Sequence, residues 1–217
     1  MRASAWRIAA GRAVNDSTPN VGVLAIQGDV EKHLAALERL GARGRRVLGA
    51  RDLDGLDALI LPGGESTTIS KGLTRFELVK PIQAFAEAGG AILGTCAGAI
   101  MLARQVLNHP VATLELIDVE AERNAYGTQL DSFIAPVDEP AGDSVEAGRF
   151  SGMECVFIRA PRLGGLGPSV EVLARVDGEP VLVREGRCWA CTFHPELTED
   201  LRVHRALIED FSATAAA

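Results

Sequence analysis

No stretch of this 217-residue chain is apolar for long enough to cross a bilayer, although 47% of its residues are hydrophobic. Those residues are therefore expected to fill a buried sheet, and the length suits one α/β domain with a sizeable core. An excess of basic charge is also missing. The formal net charge of −7 argues against a nucleic-acid-binding face and leaves protein partners open. Two phosphate-binding signatures are absent: the loop at Pro62-Gly63-Gly64 never reaches Gly-Lys-Ser/Thr, and the first strand turns through Ile26-Gln27-Gly28-Asp29 without Gly-x-Gly-x-x-Gly. Cysteine is scarce, with only Cys96, Cys155, Cys188 and Cys191. In strands of a core-forming domain these read as reduced thiols of a cytoplasmic protein rather than two disulfides. Cys188 and Cys191 stand three apart on an extended run and should face opposite sides, and no second pair exists to complete a zinc site, so no metal is expected. There is no internal repeat and no linker. The first twenty residues hold three arginines and no acid before Asp16, without the long apolar core and cleavage site of a secretory signal. Residues 1–20 read as a disordered extension, and residues 21–217 as a single domain.

What is present begins with Ala91-Ile-Leu-Gly-Thr-Cys-Ala-Gly-Ala-Ile-Met-Leu-Ala103. A short apolar run fit for a buried strand meets one that reads as a helix, and Gly94-Thr95-Cys96-Ala97-Gly98 lies between them. This is the Gly-x-nucleophile-x-Gly spacing of a nucleophile elbow, with sulfur in place of a serine oxygen. Such a turn lifts the thiol out of the sheet edge and sets it at a helix N-terminus, where the thiolate is favoured. A buried structural cysteine is the competing reading for Cys96 taken alone.

A nucleophile needs a base, and the base an orienting group. Of the four histidines, His33, His109, His194 and His204, only His194 is expected at the carboxyl end of a strand, after Trp189 to Phe193. Glu196 follows at i+2, on the same side of an extended chain, where its carboxylate can fix the imidazole tautomer. Pro195 restricts His194 to extended backbone. His33 and His204 are expected on solvated helix faces, and His109 in a loop before Pro110. Asp57-Ala-Leu-Ile-Leu-Pro-Gly-Gly-Glu-Ser-Thr-Thr68 is a buried strand running into a glycine loop whose N–H groups, with that of Ala97, could hold an oxyanion.

With these pieces the chain resembles the triad family of class I glutamine amidotransferases, and within it the glutaminase subunits of pyridoxal phosphate synthases. The resemblance is carried by Gly22-Val-Leu-Ala-Ile-Gln-Gly28, Leu59-Ile-Leu-Pro-Gly-Gly-Glu-Ser-Thr-Thr68, Gly94-Thr-Cys-Ala-Gly98, Val119-Glu-Ala-Glu-Arg-Asn124, Gln129-Leu-Asp-Ser-Phe133, Val156-Phe-Ile-Arg-Ala-Pro161 and Phe193-His-Pro-Glu-Leu-Thr-Glu-Asp200. It runs in the family's order from about Val21 to Phe211. It implies glutamine hydrolysis by a Cys96, His194, Glu196 triad and an oxyanion hole at Gly63, Gly64 and Ala97. It also implies a glutamine site built from Gly64, Glu65, Ser66, Arg123, Ile158, Arg159 and Gln27. Those side chains suit an amino acid, since an arginine forks onto an α-carboxylate and Glu65 can meet an α-ammonium. The resemblance further implies ammonia delivery to a (β/α)-barrel synthase subunit that gates the activity, in a hetero-oligomer, with no cofactor on this chain and no nucleic-acid or membrane partner.

Strands are expected near residues 21–26, 44–48, 57–61 and 90–94, with helices near 29–41, 76–88 and 97–105. Later β-like runs fall at 113–121, 154–158, 170–176, 180–183 and 188–193, and a final helix at 200–211. Residues 138–148 read as an exposed acidic loop. The order implies a flavodoxin-like three-layer α/β/α sandwich around a mostly parallel sheet. Two other functions remain open: the glutaminase subunit of another amidotransferase, such as imidazole glycerol phosphate synthase, and a non-catalytic scaffold subunit.

Overall fold

The computed structural model describes residues 18–123, 132–139 and 148–214. Most of the expected N-terminal extension (residues 1–17), residues 140–147 of the acidic loop, and residues 124–131 with Asn124 and Gln129 lie outside the described residues.

The first half alternates strands and helices. β1 (Asn20–Leu24), α1 (Val30–Arg39), β2 (Arg43–Val47), β3 (Ala58–Leu61), α2 (Ser66–Arg75), α3 (Val79–Glu87), β4 (Ala91–Thr95) and α4 (Ala97–Leu102) follow one another. Shorter strands come next: β5 (Ala103–Val106), β6 (Ile117–Glu122), β7 (Ser132–Pro136), β8 (Glu154–Ile158) and β9 (Arg162–Gly164). The chain closes with β10 (Glu171–Val176), β11 (Glu179–Glu185), β12 (Cys188–Cys191) and α5 (Arg202–Thr214).

Seven strands form the main sheet in the order β10-β11-β12-β4-β3-β1-β2. From β12 to β2 every pairing is parallel, while β10 and β11 add an antiparallel edge. The five parallel strands thus run 2-1-3-4-5 in chain order, the flavodoxin-like winding expected from the sequence, with its switch point between β1 and β3.

Strand periodicity divides the core in two. Leu59, Leu61, Ile92, Cys188 and Ala190 face one side, packed with Ile69 and Leu73 of α2, Ile82 of α3 and all of α4. Ala58, Ile60, Leu93, Trp189 and Cys191 face the other, with Leu37 of α1 and Val203, Ala206 and Leu207 of α5. The two cysteines of the Cys-x-x-Cys run therefore lie in different cores, as their spacing requires.

Several boundaries differ from expectation. Residues 66–75, where no element is expected, form α2, and the helix expected over 76–88 begins only at Val79. Packing of Ile69 and Leu73 on the sheet outweighs the weak helix propensity of Ser66-Thr-Thr68. The helix expected over 97–105 ends at Leu102, because Ala103 turns extended (ψ 149°) to pair with Ile117.

Two glycines set how closely α4 approaches the sheet. A Cβ on Gly94 would stand 2.5 Å from the Gly98 carbonyl carbon, and one on Gly98 would fall on the Leu61 carbonyl oxygen, well inside contact. Gly98→Ala should therefore lower stability by about 2 kcal/mol or more, the upper range of overpacking costs. Urea denaturation of the isolated chain measures this, and an unchanged midpoint would show that α4 has room to move.

Candidate active site

Four adjacent parallel strands end at one edge of the sheet, and each delivers a piece of the site in the loop beyond it. Gln27 follows β1, Gly63 and Gly64 follow β3, Cys96 follows β4 and His194 follows β12. Carboxyl ends of strands beside a switch point form a crevice in open α/β sheets.

Cys96 occupies the elbow with φ 49° and ψ −107°, in a region that non-glycine residues rarely adopt. Its N–H donates to the Cys191 carbonyl at 2.8 Å, which ties the strained residue to β12. The side chain is 6% exposed. Its Sγ–H donates toward the Ile158 carbonyl oxygen at 3.8 Å. A Cβ on Gly63 would sit 2.5 Å from His194 Cε1 and 3.2 Å from Cys96 Cβ, so only glycine leaves the thiol and the imidazole their place.

The His194 N–H donates to the Val156 carbonyl at 2.8 Å, and its Nδ1 lies 2.7 Å from Glu196 Oε1. The carboxylate reaches the ring through a 3-10 turn, Pro195–Leu197, rather than along an extended chain as expected. Burial works against charge on both partners. On His194 it is outweighed by the hydrogen bonds and charges of Cys96 and Glu196, which push the imidazole up to about 10. On Glu196 it is outweighed by the His194 hydrogen bond and the nearby histidine charges, which hold the carboxyl below its usual range. The other three thiols are disfavoured nucleophiles: burial pushes Cys155 and Cys188 up to about 12, and Cys191 well above its ordinary value.

The Gly63 N–H donates to Thr95 Oγ1 at 3.0 Å, so in this arrangement it is not aimed at a substrate oxygen. Ala97 opens α4 directly behind the thiol. Gln27 Oε1 accepts the Glu65 N–H at 3.1 Å and so braces the glycine loop, Glu65 accepts from the Thr68 hydroxyl at 3.2 Å, and Ser66 is buried as the first residue of α2. Ile158 and Arg159 are exposed beside the thiol's carbonyl contact, Arg159 with φ 45°. Arg123 is held elsewhere, its N–H on Asn108 Oδ1 at 2.7 Å and its guanidinium on the His109 carbonyl at 3.1 Å.

His33 and His204 overturn the expectation of solvated rings. Both are 0% exposed, and His33 Nδ1 lies 3.0 Å from His204 Nε2. The signal was present in the periodicity: His33 shares a helix face with Ala36 and Leu37, and His204 with Leu207. His33 also approaches the site, with Nε2 3.5 Å from Glu196 Oε2.

A cysteine on a strained elbow, facing an imidazole that a buried carboxylate orients, can attack an acyl carbon and return a proton to the leaving group. On a flavodoxin-like sheet this defines a triad amidohydrolase of the glutamine amidotransferase class. The chain belongs to the SNO glutamine amidotransferase family, whose model matches residues 23–213. It is similar to the pyridoxal 5'-phosphate synthase subunit PdxT of Thermus thermophilus, 50% identical over 87% of this chain and 96% of that protein. It is also similar to the PdxT subunit of Thermotoga maritima, 44% identical over 87% of this chain and 97% of that protein. A crystal structure of a glutamine amidotransferase superposes with a TM-score of 0.81 at 44% identity, covering 88% of this chain and 98% of the other.

The pKa directions fix the sign of a pH dependence. His194 is raised in the folded chain, so its contribution to stability is complete below its unfolded value near 6.5 and is lost as pH rises through about 10. Denaturant unfolding across pH 6–11 should show this alkaline decline, and Glu196→Gln should flatten it. An equal slope in the variant would place its source outside the His194–Glu196 pair.

Proposed function

We propose that the chain is the glutaminase subunit of a pyridoxal 5'-phosphate synthase, which hydrolyses L-glutamine to L-glutamate and ammonia and passes the ammonia to a synthase subunit. The observation that carries this reading is the meeting of Cys96, His194 and Glu196 beyond adjacent strands, with His194 Nδ1 2.7 Å from the carboxylate, in a chain of this family.

In the proposed reaction Cys96 Sγ, its proton held on His194, attacks the side-chain amide carbon of glutamine and forms a C–S bond. Negative charge collects on the former carbonyl oxygen, where the N–H groups of Gly64 and Ala97 receive it. Gly63 joins them only if its N–H leaves Thr95. The C–N bond then breaks as His194 gives its proton to the nitrogen, releasing ammonia and leaving a thioester. Water, deprotonated by His194, cleaves that thioester to glutamate and restores the thiol. Glu196 holds the imidazole in the tautomer both steps need.

Glu65, Ser66, Arg123, Ile158, Arg159 and Gln27 form the glutamine site in this reading. The α-ammonium falls to Glu65 and the α-carboxylate to an arginine fork. Arg123 must release the His109 carbonyl to take part. The chemistry needs no cofactor or metal on this chain. The partner is a (β/α)-barrel synthase subunit whose docking gates the activity, and the complex is cytoplasmic. The names of the relatives support this assignment over an imidazole glycerol phosphate synthase subunit, and the intact triad argues against a scaffold.

Glutamate release assayed with and without the synthase subunit should require Cys96, vanish in Cys96→Ala, and rise when the partner is added. Folded, partner-binding protein that releases no glutamate would favour the scaffold instead. Arg123→Ala should raise the KM for glutamine by about tenfold or more, as losing one bidentate charged contact does, with a smaller change in kcat. An unchanged KM would remove Arg123 from the site.

A further inference from the structure

The triad accounts for one oxygen of Glu196. The side chain is wholly buried, Oε1 is taken by His194 Nδ1, and Oε2 has no hydrogen-bond partner among the described residues, the His33 Nε2 standing 3.5 Å away. An ionised carboxylate oxygen left bare in a buried site is costly, so the group facing it matters.

The protons of the histidine pair can be assigned by elimination. Burial pushes both rings down, His204 to about 3, so both are neutral at working pH. One proton lies in the 3.0 Å contact between His33 Nδ1 and His204 Nε2. If His33 supplied it, the His33 Nε2 lone pair would face the carboxylate, and the remaining proton of His204 would sit on Nδ1, which is buried without a partner. If His204 supplies it, both conflicts vanish: the proton of His33 moves to Nε2, which stands 3.5 Å from both Glu196 Oε2 and Thr95 Oγ1, and the bare His204 Nδ1 is merely an idle acceptor. In this tautomer His33 Nε2 also donates to Thr95 Oγ1 at 3.5 Å, and Thr95 Oγ1 in turn accepts the Gly63 N–H at 3.0 Å.

We propose that His33, set in its tautomer by His204, is a positioning residue for the glutaminase reaction, its Nε2–H orienting the Glu196 carboxylate so that Oε1 is held on His194. His33 also touches, through Thr95, the strand-end hydroxyl that restrains the glycine loop, so one buried ring spans both sides of the site. The inference rests on the triad reading above and adds the residue that holds the triad's carboxylate.

The test measures glutamate release by the chain in complex with its synthase subunit, alongside melting temperature and partner binding. His33→Leu should lower kcat by roughly tenfold to a hundredfold, the cost typical of losing a partner that orients a functional side chain, at unchanged KM. The loss should disappear when His33→Leu is combined with Glu196→Gln, since the two act through one carboxylate. Should the leucine variant fail to fold, two polar variants decide. His33→Gln carries an amide N–H to the Nε2 position and should keep kcat, whereas His33→Asn ends near Nδ1 and should lose it. Wild-type kcat in His33→Leu, a loss undiminished in the Glu196→Gln background, or equal kcat in the Gln and Asn variants would overturn the proposal. Cys96→Ala is the control: activity surviving there overturns the triad and this inference together. Its loss there, with His33→Leu unimpaired, overturns this inference alone.

Discussion

The close approach of α4 to the sheet is the constraint on which the rest depends. A six-residue helix can seat its first turn against β3 and β4 only if nothing projects from Gly94 or Gly98. That contact forces the chain to reverse at Cys96 in a strained backbone conformation, and the strain is borne by the Cys191 carbonyl and by a helix buried along its whole length. Because β12 pairs in parallel with β4, the same register that anchors Cys96 to Cys191 carries His194 to the thiol three residues later. Gly63, from the end of β3, closes the remaining space. Sheet pairing, elbow and site are thus one geometric arrangement.

Burial then sets the chemistry. Glu196 is buried between two imidazoles, with His194 Nδ1 2.7 Å from Oε1 and His33 Nε2 3.5 Å from Oε2. A carboxylate held this way keeps its charge despite desolvation, and its charge keeps the His194 proton in place. The other cysteines lie in the same interior without such partners, and there desolvation suppresses the thiolate.

Much of this was legible in the residues. Two glycines flanking a small-residue turn mark an elbow because only glycine tolerates backbone at that range, and strand-length apolar runs separated by amphipathic stretches mark a parallel sheet. The pairing of His194 with Glu196 was legible as a spacing, though the turn that realises it was not. Other elements are set by tertiary contacts. α2 starts in Ser66-Thr67-Thr68, which prefers caps and turns, and becomes helical because Ile69 and Leu73 find the sheet. The residues of β5, at the end of an apolar helix, become a strand because β6 offers them a partner. His33 is buried although histidine is intermediate between core and surface, because it lies on the same helix face as Ala36 and Leu37.

The sequence by itself determined the winding of the sheet, the elbow at Cys96 and the pairing of His194 with Glu196, because each depends on local sterics or on the periodicity of one segment. Only the tertiary structure decided what surrounds the carboxylate. His33 and His204 are 171 residues apart and belong to helices with no local reason to meet, so their contact exists only once both pack on the same face of the sheet. The commitment of the Gly63 N–H to Thr95 is likewise a matter of two strand ends brought side by side. Long-range packing selects among the hydrogen-bond partners that a sequence makes available, and a buried charge is satisfied by whichever of them the fold brings within reach.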